Sequence, residues 1–414
     1  MRSPPTVLMN AGPWLPVPPA GYGGIENVIA TLVPQLRRRG VRVLLCTVAD
    51  STLEVDERIS VFDEGQFPHL AAPYPDVVGI AHAHMHAVIA TLRVHPEIDV
   101  IHDHLELVGP SMLSLLGPAA PPALQTLHWD LSKHPDFYRR FDGRGRVFFN
   151  AVSSAHLATA PANLRAQCLD AIPLGVPVEG LAWRADAEDY VVALGRITPK
   201  KGTDVAARVC KELGLPLVLA GPVGGLPTPE ALAEHLRDPA SPFHDYSDVR
   251  YYRQHVADYL DGEQIRWVGT VGGARKEALL GGARALLMPI RWEEPGATAA
   301  IESLACGTPV VGFRRGALPT IVEHGVTGFL ADDERELAGY LQRLDELDRR
   351  ACRRAAEERF SDATMAERYL DAYGEVIRRA HRAGRLRPLR YGSAAAAAMR
   401  PGDGADIAST AWTT

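Results

Sequence analysis

Two carboxylates dominate the stretch WEEPGATAAIESLACGTPVVGF. Pro295 suits the first position of a helix. Glu294 then sits at the helix mouth and Glu302 roughly two turns inside. The unpaired N–H groups of Gly296, Ala297 and Thr298 would face outward and favour an anion. One carboxylate beside an anion site and another deeper in suits a ligand carrying both phosphate and hydroxyls. The plainer alternative makes Glu294 a capping acid and Glu302 part of a solvated face.

The segment GRITPKKG follows a buried apolar run, so Arg196 emerges at a strand's carboxyl end and Lys201 precedes a new helix. A fixed guanidinium fork beside a mobile ammonium suits the clamping of a diphosphate. Such groups help catalysis by stabilising charge that grows on a leaving phosphate. Arg–Lys pairs at loop tips are also commonly solvated. In GYGGIE, Gly23 and Gly24 lie directly before a helix, where backbone can approach a phosphate closely. A Gly-Gly pair by itself is more often a turn, and no GxxxxGK[ST] occurs.

These residues need a frame, and the hydrophobic pattern supplies one. Thr6–Met9 reads as an opening strand, and a helix is expected over about Ile25–Arg39, bent at Pro34. Arg37, Arg38 and Arg39 complement the dipole at its end, ahead of Gly40. Val41–Val48, Asp99–His104 and Ala123–His128 read as buried parallel strands. A second series follows at Tyr190–Ile197, Leu215–Pro222, Ile265–Val271, Ala285–Ile290 and Thr308–Phe313. Strands alternating with helices predict an α/β fold of two doubly wound domains. The expected division is 1–182, 183–362, a helix at 363–384 and a disordered tail over 385–414. Gly224–Glu263 breaks the rhythm, with a helix expected near Tyr251–Leu260.

Length and composition narrow the function classes. The 414 residues suffice for two cores, and a formal net charge of −6 argues against a chain-wide nucleic-acid footprint. Five dispersed cysteines suit a reducing compartment. No apolar run approaches the roughly 20 residues needed to span a bilayer, and no signal-peptide core is expected at the N-terminus. A cytoplasmic location is the expectation.

GYGGIE, GRITPKKG and EEPGATAAIE, in this order and at about these distances, resemble the motifs of retaining glycosyltransferases of family four. The resemblance covers most of residues 5–380. It implies the GT-B fold, in which two Rossmann-like domains face each other across a cleft. It further implies that Arg196 and Lys201 bind the donor diphosphate, Glu294 contacts the transferred sugar and Glu302 holds the ribose hydroxyls. His128 would lie against the donor sugar, Gly23–Gly24 would close over the phosphates, and backbone near Val271 would meet the base. The N-terminal domain would bind the acceptor, the helix near Ala363–Arg379 would brace it, and no catalytic metal would be needed. Where the family commonly has Phe-Gly after Glu-Pro, this chain has Gly296-Ala297, as do some actinobacterial natural-product members.

The implied reaction moves a hexosyl group with retention from a nucleotide sugar to a hydroxyl of a small-molecule, natural-product or glycoside acceptor. UDP is the first expectation for the nucleotide and GDP the second. Two other classes compete. His82, His84, His86, His102 and His104 fall into HxH patterns that can begin a metallohydrolase site, and a catalytically silent sugar-nucleotide-binding protein would keep the same donor residues. His82 and His86 are better read as one helix surface, and His102 and Asp103 as lining the acceptor side. The basic run Arg378–Arg390 reads as a solvated tail, with weak peripheral membrane contact as the lesser reading.

Overall fold

The computed structural model describes residues 4–21 and 23–386. Most of the tail expected over 385–414, from residue 387 on, lies outside the described residues.

Six parallel strands form the first sheet: β1 (Thr6–Asn10), β2 (Arg42–Thr47), β3 (Glu57–Ser60), β4 (Val100–Asp103), β5 (Ala123–Leu127) and β6 (Val147–Ala151). Six more form the second: β7 (Val191–Leu194), β8 (Leu217–Ala220), β9 (Ile265–Trp267), β10 (Leu286–Met288), β11 (Val310–Phe313) and β12 (Gly328–Ala331). The orders are β3-β2-β1-β4-β5-β6 and β12-β11-β10-β7-β8-β9, the same doubly wound arrangement twice. Each sheet reverses direction between its first and fourth strands, and the crevice beyond the carboxyl ends there is where such folds take ligands.

All nine strands expected from apolar runs are present. The strands missed by the sequence reading, β3, β6 and β12, each close one edge of a sheet. Edge strands have one neighbour, so a weak apolar signature suffices for them. The ERIS sequence of β3, for example, alternates between half-buried and exposed.

The first helix, Gly24–Arg38, buries Val28, Ile29, Leu32, Val33 and Leu36, with Pro34 inside it. Its terminal arginines are tied down: Arg37 pairs with Glu54 at 3.1 Å and Arg39 with Glu367 at 3.0 Å. The C-terminal helix runs further than expected, over Asp362–Leu386, and makes the first part of the basic run Arg378–Arg390 helical. It crosses back to the first domain, where Gln35 Nε2 donates to Asp362 Oδ2 at 2.6 Å.

One expectation is overturned. Pro75–Val94, within the helix Tyr74–Val94, is long and apolar enough by length and composition to cross a bilayer, with mean hydropathy 1.3. The histidines inside it interrupt the apolar run while leaving the mean hydropathy high. The helix lies against the first domain, with Ala81, His84, Met85 and Val88 buried. His82 and His86 share its outer face, as expected.

In the long segment after β8, the helices Pro229–Arg237 and Ser247–His255 precede a tight turn at Ala257–Tyr259. The helix expected near Tyr251–Leu260 therefore begins and ends several residues earlier.

Candidate functional site

The second sheet's crevice is built by the segments leaving β7 and β10. Beyond β7 the chain passes Gly195 and Arg196 into a tight turn, Pro199–Lys201, and then the helix Thr203–Leu213. Gly202 makes that turn possible. Its φ is 67°, and a Cβ there would lie 2.0 Å from the carbonyl oxygen of Pro289, just past β10. Only glycine lets the two segments approach so closely. Arg291 N–H donates to the Lys200 carbonyl at 2.9 Å, completing the junction.

Lys201 Nζ is thereby held 2.5 Å from Glu294 Oε2, both side chains largely covered. Trp292 Nε1 donates to the same carboxylate oxygen at 2.9 Å. Arg196 is exposed at the carboxyl end of β7 and, among the described residues, has no hydrogen-bond or ion-pair partner. It borders a small cavity lined also by Gly195, Lys201, Thr203, Met288 and Ile290. A free guanidinium beside a carboxylate-paired ammonium can receive an anion.

The helix carrying the second glutamate starts at Thr298, not at Pro295. Ala297 is the cause, because its φ of 45° and ψ of 48° are left-handed and cannot continue a right-handed turn. Glu294 is therefore no helix cap, and the loop Pro295–Ala297 reaches the other domain instead. Ser153 Oγ donates to the Pro295 carbonyl at 2.7 Å, and a Cβ on Gly296 would meet Leu174 Cδ1 at 2.7 Å. The N–H groups of Gly296, Ala297 and Thr298 have no acceptor among the described residues. Glu302 lies inside the helix, paired with Lys276 Nζ at 2.6 Å. Sequence reasoning missed Lys276, since nothing in the spacing of the helix Gly273–Gly282 links it to a glutamate on another helix. Val271 lies half-buried in the loop before Gly273.

The segment after β8 contributes from behind. Tyr251 OH donates to Asp204 Oδ1 at 2.5 Å and accepts from Asp204 N–H at 2.9 Å, while Arg291 Nη2 donates to Asp204 Oδ2 at 2.7 Å. Burial pushes the Asp204 carboxyl up, but the bonds from Tyr251 and Arg291 outweigh it and hold the pKa below its ordinary value. The segment therefore braces the loop that carries Glu294.

Across the gap, His128 ends β5 half-buried, with its Nε2 hydrogen-bonded to His104 Nδ1 at 2.9 Å. Gly24 opens the first helix, and Gly23 packs on Pro19 and the Glu26 side chain. Tyr22 lies outside the described residues. Lys200 Nζ lies 3.9 Å from Asp130 Oδ2, so the segment after β5 meets the segment after β7.

His102 and Asp103 do not line the cleft, contrary to expectation. Both are fully buried. His102 is held by Tyr373 OH and Thr126 Oγ1, each at 2.8 Å, and so ties β4 to the C-terminal helix. Asp103 accepts from Asn10 Nδ2 at 2.6 Å, and burial raises its pKa to about 7. Consecutive strand residues point to opposite sheet faces, and here both faces are covered, His102 beneath the C-terminal helix and Asp103 beside Asn10. Polar groups that stay half-open beyond β4 and β5 include Glu106, Asp130 and His134. Burial raises the Glu106 pKa to about 7.

The histidine patterns dissolve into separate partners. His82 Nδ1 bonds to the Val78 carbonyl and His84 Nε2 to Asn10 Oδ1. Among the described residues, no three His, Cys, Asp or Glu side chains are grouped to hold a metal ion.

Residues 183–359 match the family model "Glycosyl transferases group 1", and residues 22–164 match "Glycosyltransferase Family 4". A D-inositol 3-phosphate glycosyltransferase of Pseudarthrobacter chlorophenolicus is 24% identical over 351 residues, 75% of this chain and 78% of that protein. A protein of the same name from a Mycobacterium species is 30% identical over 257 residues, 57% of this chain and 53% of that one. Among solved structures, AviGT4, a glycosyltransferase involved in avilamycin A biosynthesis, matches with TM-score 0.59 and 25% identity, covering 91% of this chain and 98% of that one. Sucrose-phosphate synthase from Thermosynechococcus elongatus matches with TM-score 0.67 and 18% identity, covering 90% and 99%. Anabaena HepE in complex with UDP and glucose matches with TM-score 0.62 and 17% identity, covering 89% and 99%.

Proposed function

Because the chain belongs to the family four glycosyltransferases and has their GT-B fold, we propose that it transfers a hexosyl group, with retention, from a UDP-sugar to a hydroxyl of a small-molecule, natural-product or glycoside acceptor. The observation that carries the donor half is the Lys201–Glu294 pair at 2.5 Å, beside an unpartnered Arg196 and the free N–H groups of Gly296, Ala297 and Thr298.

Arg196, Lys201 and those N–H groups receive the diphosphate and stabilise its charge as it leaves. The bond from the anomeric carbon to the phosphate oxygen breaks, with its electron pair staying on the diphosphate. The acceptor oxygen bonds to the same face of that carbon, and its proton passes to a phosphate oxygen. Glu294 orients the sugar hydroxyls, Glu302 with Lys276 holds the ribose, and backbone near Val271 meets the base. Gly23 and Gly24 cover the phosphates from the other domain. The cations and N–H dipoles carry the charge stabilisation, so the reading assigns no step to a metal. UDP is favoured as nucleotide because HepE, of the same fold, was solved with UDP. A cytoplasmic setting follows from that donor.

On the acceptor side, Glu106 and Asp130 stay half-open, with Lys133 and Lys200 beside Asp130. Thermal-shift measurements with UDP-, GDP-, ADP- and dTDP-sugars test the donor. Stabilisation by none of them sinks the reading. An acceptor panel containing inositol 3-phosphate beside neutral glycosides tests the other half.

A further inference from the structure

His104 belongs to the HDH triplet that ends β4, and the transfer reaction as described gives it no task. Its ring is buried and stacked against His128, with centroids 5.1 Å apart. We propose that His104 is a positioning residue: it donates its Nδ1–H to Nε2 of His128 and so holds His128 with its own proton on Nδ1, presenting a hydrogen-bond donor to the cleft. The inference rests on the reading that His128 meets the transferred sugar.

The assignment follows from counting protons in the pair. Burial lowers both imidazoles, His104 well below its ordinary pKa and His128 to about 3, so both are neutral near pH 7. In the 2.9 Å bond between His104 Nδ1 and His128 Nε2, one nitrogen donates and the other accepts. The other nitrogen of His104, Nε2, is buried and has no hydrogen-bond partner. If His104 accepted at Nδ1, its proton would sit on Nε2 as an unpaired buried N–H. If it donates from Nδ1, the orphan is only a lone pair, and structures tolerate buried orphan acceptors more often than buried orphan donors. His102 cannot relieve Nε2, although the two rings lie 4.2 Å apart. Both of its nitrogens are already committed, to Tyr373 and Thr126.

The consequence for specificity is direct. A neutral imidazole that donates from Nδ1 needs an oxygen lone pair opposite it. The transferred group must therefore offer a hydroxyl or ring oxygen at that place.

The test is nitrogen-15 NMR of the full chain with labelled histidine, His128 being assigned by the loss of its signals in His128→Gln. The expected result is a protonated Nδ1 and a bare Nε2 on His128. A protonated Nε2 overturns the proposal. Turnover is followed with UDP-glucose, through release of UDP. His104→Phe should lower kcat/KM about tenfold and mix the two tautomers. His104→Asn, whose amide can donate in the same place, should recover most of both losses; equal impairment in the two variants would overturn the positioning role. Unchanged turnover in His128→Ala would instead remove the placement of His128 against the sugar while the measured tautomer stood.

Discussion

Lys201 and Glu294 lie 2.5 Å apart although they leave different strands of the second sheet, one after β7 and one after β10. The pair bridges the point where the sheet reverses direction and sets cation and carboxylate side by side at the mouth of the crevice. Removing Lys201 takes away the proposed phosphate ligand and also strands a largely covered carboxylate. Lys201→Ala should lower kcat/KM about a hundredfold or more, and both it and Glu302→Ala should shrink the thermal shift produced by the nucleotide sugar. Unchanged shifts in both variants would place the donor elsewhere.

Tyr251 reaches the site only through Asp204 and Arg291. Tyr251→Phe keeps the ring but leaves the Asp204 N–H and carboxylate short of a partner, a loss of about 1–3 kcal/mol. The folded pKa of Asp204 is depressed, so the stabilisation is present above the ordinary carboxylate pKa and is lost as pH falls through the folded value. The stability gap between wild type and Tyr251→Phe, read from urea midpoints, should therefore narrow below about pH 4. A gap that widens with acid would contradict the network.

Ala297 separates two effects of similar size. A left-handed non-glycine residue costs about 1–2 kcal/mol, which Ala297→Gly relieves. The same change loses a buried methyl, about 0.8 kcal/mol, and adds about 0.4–1 kcal/mol of unfolded-chain entropy. The sum is near zero, so the melting temperature should barely move. Gly296→Ala is different, because its Cβ would press on Leu174 of the facing domain. It should raise the donor KM through altered domain closure, a change that steady-state kinetics would detect.

Acid stability should be set by buried imidazoles. Burial lowers His84 to about 4 and His102 and His128 to about 3, His104 well below its ordinary value, and His156 as well. Each is neutral when folded and protonated when unfolded below about pH 6.5, so each removes stability as pH falls. Glu26, Asp103 and Glu106, raised to about 7 by burial, act in the opposite direction between about pH 7 and 4.5. The four strongly lowered imidazoles against three carboxyls leave a net of one proton, a decline of about 1.4 kcal/mol per pH unit near pH 5.5, to which His156 adds in the same direction. The decline should steepen below pH 4.5, where the carboxyls no longer compensate. A flat denaturation profile from pH 6.5 to 4.5 would refute this account.

Both sheets were legible from the alternation of apolar runs and helical patterns, because strands covered on both faces must be continuously apolar. The same reasoning placed Arg196 and Lys201 at a strand's carboxyl end, where they are found. The start of the helix bearing Glu302 was misjudged, because proline marks a permitted first position while the φ of Ala297 decides the actual one. His102 and Asp103 were misassigned for a related reason: a strand's final residues carry polar chemistry to both faces, and only tertiary packing, with Tyr373 over His102 and Asn10 beside Asp103, covers them.

By itself the sequence determined the family, the frame of two parallel sheets and the place of Arg196 and Lys201 beyond a strand's carboxyl end, since these follow from local runs and spacings along one chain. Tertiary structure alone decided which side chains meet. The partners Lys201–Glu294, Lys276–Glu302, Tyr251–Asp204 and His104–His128 come from separate elements. Their contacts depend on how those elements pack, and no local spacing encodes that.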